Sequence, residues 1–169
     1  MNIRPAVESD ALSVARVHVY SWQEAYRGIV PDAYLESLSV EKRESMWRVA
    51  IANGTPELWV ADSGPEISGW AAFGPSRDID AARSCGELEA IYVLPSFWAK
   101  GLGQRLWLAA RRRLVQRGFL STTLWVLKSN HRAIRFYRAA GFVEDIASAK
   151  EVTIGGQKLW EVRYVATIN

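Results

Sequence analysis

Apolar positions in this chain recur with two periods, and each change of period marks an element. Asn2 to Ala6 reads as a short edge strand, the one place in a sheet that tolerates Pro5. Leu12, Ala15, Val19 and Trp22 then recur at helical spacing behind Ser9-Asp10, which is placed to cap the helix. Gly28 breaks that pattern. Pro31-Asp32 opens a short second helix, and Val40 to Ala52 predicts a third, ended near Asn53-Gly54. Thr55 to Asp62 and Ile67 to Gly74 read as strands joined by a turn at Ser63-Gly64-Pro65, and polar Pro75 to Ser84 as a loop.

Glu87 to Leu94 is the next predicted strand. A helix follows from about Gly103 to Gln116, with Leu102, Leu106, Ala110 and Leu114 on one row, and Gly118 stops it. Thr122 to Leu127 reads as a strand, and Asn130 to Ala140 as a helix with Gly141 at its C-terminal cap. Phe142 to Val152 and Gln157 to Ile168 predict two antiparallel strands joined at Gly155-Gly156. The fold class is therefore α/β: one domain over residues 1–169, with helices flanking a mixed sheet. Residues 87 to 127 should form a right-handed strand–helix–strand crossover within it.

Composition narrows the function classes. The net charge of +3 is too small to argue for a nucleic-acid partner. One cysteine, Cys85, excludes an internal disulfide and a cysteine-only metal site, and it reads as a small buried hydrophobe. His18 and His131 offer it no recognisable pairing, and no metal-ligand spacing is present. The start Met1-Asn2-Ile3-Arg4-Pro5 lacks the apolar run of a signal peptide. No segment approaches membrane-spanning length. A cytoplasmic protein with no membrane partner is expected.

The candidate chemistry sits where the Glu87–Leu94 strand meets Pro95 and the loop Trp98-Ala99-Lys100-Gly101-Leu102-Gly103-Gln104. A glycine loop that opens straight into a helix exposes backbone N–H groups at the positive end of the helix dipole, which suits a phosphate. A dinucleotide fingerprint would need a third glycine where Leu106 stands, and a P-loop would need Lys-Ser/Thr after Gly103. Taken alone, the loop is equally well a tight turn.

The downstream run Asn130-His131-Arg132-Ala133-Ile134-Arg135-Phe136-Tyr137 through Gly141-Phe142 makes the pattern specific. The chain resembles the GNAT superfamily of acyl-CoA-dependent N-acetyltransferases. The loop resembles that family's Gln/Arg-x-x-Gly-x-Gly/Ala motif, with Trp98 standing where the family has Gln or Arg. The second run resembles its Asn-x-x-Ala-x-x-x-Tyr segment. Ile3-Arg4-Pro5-Ala6 and Ser21-Trp22-Gln23-Glu24-Ala25-Tyr26 extend the resemblance over nearly the whole chain.

The resemblance implies a sheet splayed near its middle to admit acetyl-CoA as co-substrate, and direct attack by an acceptor amine in a ternary complex. Backbone groups of Ile91, Tyr92 and Val93 would face the pantetheine arm, with the Val93 N–H the first choice for polarising the thioester carbonyl. Trp98, Ala99, Lys100, Gly101, Leu102, Gly103 and Gln104 would hold the pyrophosphate, mainly through backbone N–H groups, and Lys100 and Arg105 could add charge. Asn130 would contact the coenzyme, cap its helix, or do both.

Glu87 and Glu89 are the candidate bases for the amine proton, and share a strand face unless a bulge intervenes. Glu87 matches the position of the catalytic glutamate in several family members. Tyr137 would be the general acid for the departing thiolate. Trp22 and Tyr26 would wall the acceptor side, where aromatic groups suit an amine. The expected acceptor is a small amine. A protein N-terminus or lysine, another acyl-CoA, a non-catalytic coenzyme A sensor, and a homodimer through the C-terminal strands all stay open.

Overall fold

The computed structural model describes residues 1–64 and 66–168, so Pro65 of the expected turn lies outside the described residues. Seven strands form one sheet in the order β1-β2-β3-β4-β5-β7-β6. They are β1 (Asn2–Pro5), β2 (Glu57–Asp62), β3 (Ile67–Pro75), β4 (Cys85–Val93), β5 (Ser121–Leu127), β6 (Val143–Ile154) and β7 (Gln157–Thr167). The helices are α1 (Ala11–Ala25), α2 (Asp32–Glu36), α3 (Val40–Asn53), α4 (Leu102–Gln116) and α5 (His131–Ala139). Each expected element is present, with ends within about two residues of the sequence reading. Pro5 ends β1 at the sheet edge, as its missing N–H requires.

The two faces of the sheet carry different helices. The expected α4 row, Leu102, Leu106, Ala110 and Leu114, is buried with Leu88, Leu124 and Tyr164 in one core. On the other face α1 and α3 pack through Val14, Val17 and Trp47 on Val60 and Trp70. Asp10 departs from the expected capping role. Its carboxylate accepts the Val7 N–H at 2.9 Å and the Arg4 guanidinium at 2.7 and 3.0 Å, and makes no cap bond to α1. A guanidinium fork matches both carboxylate oxygens, which a single helix N–H cannot.

β4 and β5 are the one parallel pair, and they stay together only briefly. The ladder joins Cys85, Gly86 and Glu87 to Ser121, Thr122 and Thr123, and then stops. Residues 85–88 of β4 are buried, whereas 89–93 are partly exposed despite their central place in the sheet. The sheet is thus open beside the C-terminal half of β4, and the expected splay lies there.

A bulge falls at the same point. Phe73 pairs with Leu88 and Ala72 with Ala90, leaving Glu89 as the extra residue of β4. The packing shows the resulting change of parity, because Leu88, Ile91 and Val93 all join the α4-side core. Glu87 and Glu89 therefore do not follow a simple two-residue repeat.

His18 is buried among aromatic rings. It stacks on Tyr92 at 5.3 Å, and its Nδ1 accepts the Trp47 indole N–H at 3.0 Å. Burial first, then the charge of Arg43, pushes its pKa down to about 3. The unfolded chain therefore takes up this proton first as pH falls, and stability drops through the window from 6.5 toward 3. Between pH 7.5 and pH 5 the loss should be about 2 kcal/mol. Urea unfolding at the two pH values, compared with His18→Gln, measures it; an equal pH dependence in both proteins would contradict this role.

Candidate active site

Two cavities meet beside the open half of β4. The first is a groove of about 330 Å³ between the end of β4, the loop 98–104 and α5. The second, of about 280 Å³, lies between α1, the β4 bulge, β5 and the β6–β7 hairpin. Ile91, Tyr92, Arg132, Ala133 and Tyr137 line both. A ligand in the first cavity can therefore touch one in the second at Tyr137.

The outer end of the groove gathers backbone donors that have no partner among the described residues. Trp98 N–H bonds to Pro95 and Arg105 N–H to Gly101, but no backbone N–H from residues 99 to 104 donates to another described residue. Gly101 caps α4 in the left-handed region at φ 76°, without a side-chain cap, and Ala99 has φ 57°. Alternation of left- and right-handed residues turns successive N–H groups into one concavity. Gly103 lets this turn approach α5, since a Cβ there would stand 3.4 Å from the Phe136 ring. A diphosphate fits such a cradle, at the positive end of a helix of 15 residues.

The flanking cations are occupied elsewhere. Lys100 Nζ donates to the Ser96 carbonyl at 2.8 Å, and Arg105 to the Met1 carbonyl at 2.9 Å. The irregular Trp98 turns inward, and its Nε1 donates to the Val93 carbonyl at 2.7 Å. The Arg132 guanidinium lies on its ring, 3.3 Å from the centroid.

The strand edge along the groove presents free backbone N–H groups. Leu94 donates its N–H to Ser68 on β3. Strand alternation then turns the N–H groups of Ile91 and Val93 to the open side, where β5 has departed.

Tyr137 is buried at the junction, and its hydroxyl makes no hydrogen bond to another described residue. Burial, and then the neighbouring Tyr26, push its pKa well above the ordinary value, with Arg132 opposing. The hydroxyl thus stays protonated across the physiological range. Asn130 caps α5: its Oδ1 accepts the Ala133 N–H at 3.1 Å, and its side chain is buried beside the Tyr26 hydroxyl.

The two glutamates lie at the second cavity in unequal settings. Arg77 binds Glu87 through its backbone N–H at 3.0 Å, Nε at 3.1 Å and a terminal nitrogen at 2.6 Å. Glu87 is buried under that clamp. Glu89, pushed out by the bulge, has one ion pair to Arg77 at 3.1 Å. Burial raises its pKa from the ordinary carboxylate value, with Arg77 opposing and Glu87 adding. Arg77 was not identifiable in the sequence, because it sits in a polar loop with no periodic signal.

The Trp22 and Tyr26 rings pack 4.5 Å apart between centroids, tilted by 47°, on the α1 wall. The Trp22 Nε1 is buried without a hydrogen-bond partner among the described residues. Trp125, Lys150 and Glu161 complete the opposite wall. Strand alternation exposes which face they occupy but not that β5 and the β6–β7 hairpin close over α1. Gly155 lets the hairpin turn approach α2, since a Cβ there would stand 2.6 Å from Tyr34 Cβ. Among the described residues no group of three or more His, Cys, Asp or Glu is placed to hold a metal. No helix among them is long and apolar enough to cross a membrane.

Known proteins resemble this chain in sequence and in fold. A family model described as acetyltransferase (GNAT) family matches residues 18–142. The chain is 34% identical to the uncharacterized N-acetyltransferase YuaI of Bacillus subtilis, over 96% of this chain and 90% of that protein. It is 28% identical to spermidine N(1)-acetyltransferase of Thermoplasma acidophilum, over 86% of this chain and 90% of that one. Among solved structures, the PaiA N-acetyltransferase of Thermoplasma acidophilum in complex with coenzyme A superposes with a TM-score of 0.75 at 23% identity, covering 98% of each chain. A putative acetyltransferase of Salmonella typhimurium, YncA, solved with acetyl-CoA, gives 0.76 at 19% identity, covering 100% of this chain and 94% of that one.

Proposed function

This chain belongs to the acetyltransferase (GNAT) family, and we propose that it moves an acetyl group from acetyl-CoA to a small amine by direct attack in a ternary complex. The observation that carries the reading is the junction of the two cavities at Tyr137. A donor held in the groove and an amine in the second cavity meet there without an acyl-enzyme.

The free N–H groups of residues 99 to 104 hold the donor's pyrophosphate. The open edge of β4 takes the pantetheine arm, and the Val93 N–H faces the thioester oxygen. A donor preorganised for an oxyanion contributes about 3 kcal/mol. The amine must first lose its extra proton, since a primary amine is mostly charged at neutral pH. We assign that proton to Glu89, directly or through water, because Glu87 is committed to Arg77. Glu87 then acts as a positioning residue that fixes Arg77 beside Glu89. The neutral amine forms the new C–N bond, the C–S bond breaks as Tyr137 supplies a proton to the leaving thiolate, and the second proton of the amine nitrogen returns to the Tyr137 oxygen, directly or through water.

The acceptor cavity favours a small molecule over a protein chain. Its volume is about 280 Å³, and the β6–β7 hairpin walls it through Lys150, Ile154 and Glu161. The similarity to a spermidine acetyltransferase supports an amine of that kind. Titration of acetyl-CoA into the full chain, followed by calorimetry, should show one saturable site that coenzyme A competes for. No detectable heat from either compound would sink the reading.

A further inference from the structure

The acceptor cavity already holds an ammonium group from the protein itself. Lys150 and Glu161 face one another across the β6–β7 hairpin. Their charges do not close into a hydrogen bond, since Lys150 Nζ stops 4.0 Å from the Glu161 carboxylate. The ammonium leans over the Trp125 ring instead, 3.5 Å from its centroid. That is a cation–π geometry.

The platform under it is rigid. Trp125 Nε1 donates to Asp78 Oδ1 at 2.9 Å, and Arg163 holds the other Asp78 oxygen at 3.3 Å. The carboxylate beside it is short of positive charge: burial raises the Glu161 pKa, and Lys150 is the cation that opposes the shift. The occupant is easily moved. Lys150 sits on β6, the last strand of the sheet, and its side chain is 49% exposed. A flexible four-carbon stem can swing that ammonium into water at small cost.

We propose that Trp125 and Glu161 form a second ammonium subsite in the acceptor cavity, that Lys150 is its tethered occupant, and that the acceptor is a diamine. One amine is directed to Glu89 and Tyr137. The remote ammonium displaces Lys150 from the Trp125 face. Apolar walls from Leu127 and Ile154 suit the methylene spacer between them. This rests on the amine-acetyltransferase reading above. It adds that Lys150 competes with the substrate, so removing it should improve binding.

Calorimetry of 1,4-diaminobutane and 1-aminobutane against the full chain, with coenzyme A present, tests the subsite without requiring turnover. The diamine should bind about tenfold tighter than the monoamine. Lys150→Thr should tighten the diamine several-fold more. Glu161→Gln should abolish the preference while its thermal midpoint shows a folded protein. Equal affinity for both amines, absence of diamine binding, weaker diamine binding in Lys150→Thr, or a preference that survives Glu161→Gln would each overturn the proposal. Diamine binding that responds to these variants, with no acetyl transfer from acetyl-CoA, would instead overturn the enzymatic reading and leave the subsite standing.

Discussion

Tyr137→Phe is expected to lower kcat by about a hundredfold or more, with the KM for acetyl-CoA changed little. The hydroxyl makes no hydrogen bond to another described residue, so its loss leaves the fold without an orphaned partner. The ring remains to pack against Phe136 and Phe142. What disappears is a proton held at the junction of the two cavities by a hydroxyl that burial keeps neutral. The thiolate then leaves without an acid, and this cost falls in the transition state alone. Steady-state rates at several pH values measure it. Unchanged kcat at every pH would show that Tyr137 is only a packing residue.

Glu89→Gln should be the second severe change, with kcat/KM for the amine lower by about a hundredfold at neutral pH. The pH profile is the sharper readout. The raised Glu89 pKa places the acid limb of kcat/KM above the ordinary carboxylate value of about 4.3, with activity lost as pH falls through it. Glutamine at 89 should remove that limb. Glu87→Gln acts differently, because it releases Arg77 from two of its contacts and leaves a buried neutral amide beneath it. It should lower thermal stability and loosen the site while keeping the limb. If Glu87→Gln erases the limb and Glu89→Gln keeps it, the assignments of base and positioning residue are reversed.

The elements of the fold were legible because each was encoded locally. The α4 row at every fourth residue, the glycines at 28, 54, 118 and 141, and the Gly155-Gly156 turn all act within a few residues of themselves. The glycine loop and the Asn130–Tyr137 helix were legible for the same reason. Features that depend on distant pairing were not. The bulge at Glu89 arises from the register of β3 against β4, and no residue of β4 announces it. Arg77, in an irregular loop, finds Glu87 on β4, 10 positions further along the chain. The cap expected of Asp10 went to Arg4 and the Val7 amide, since the fold brings a guanidinium within reach. The far wall of the acceptor cavity brings Lys150 to Trp125, 25 residues earlier in the chain, and only the closed hairpin places one over the other.

Direct acetyl transfer is tested most plainly by initial rates of coenzyme A thiol release, with acetyl-CoA and 1,4-diaminobutane varied together. Attack within a ternary complex predicts amine-dependent release of thiol, a matching amount of acetylated amine, and double-reciprocal lines that intersect. Thiol release that ignores the amine, or parallel lines marking a covalent acetyl-enzyme, would contradict it.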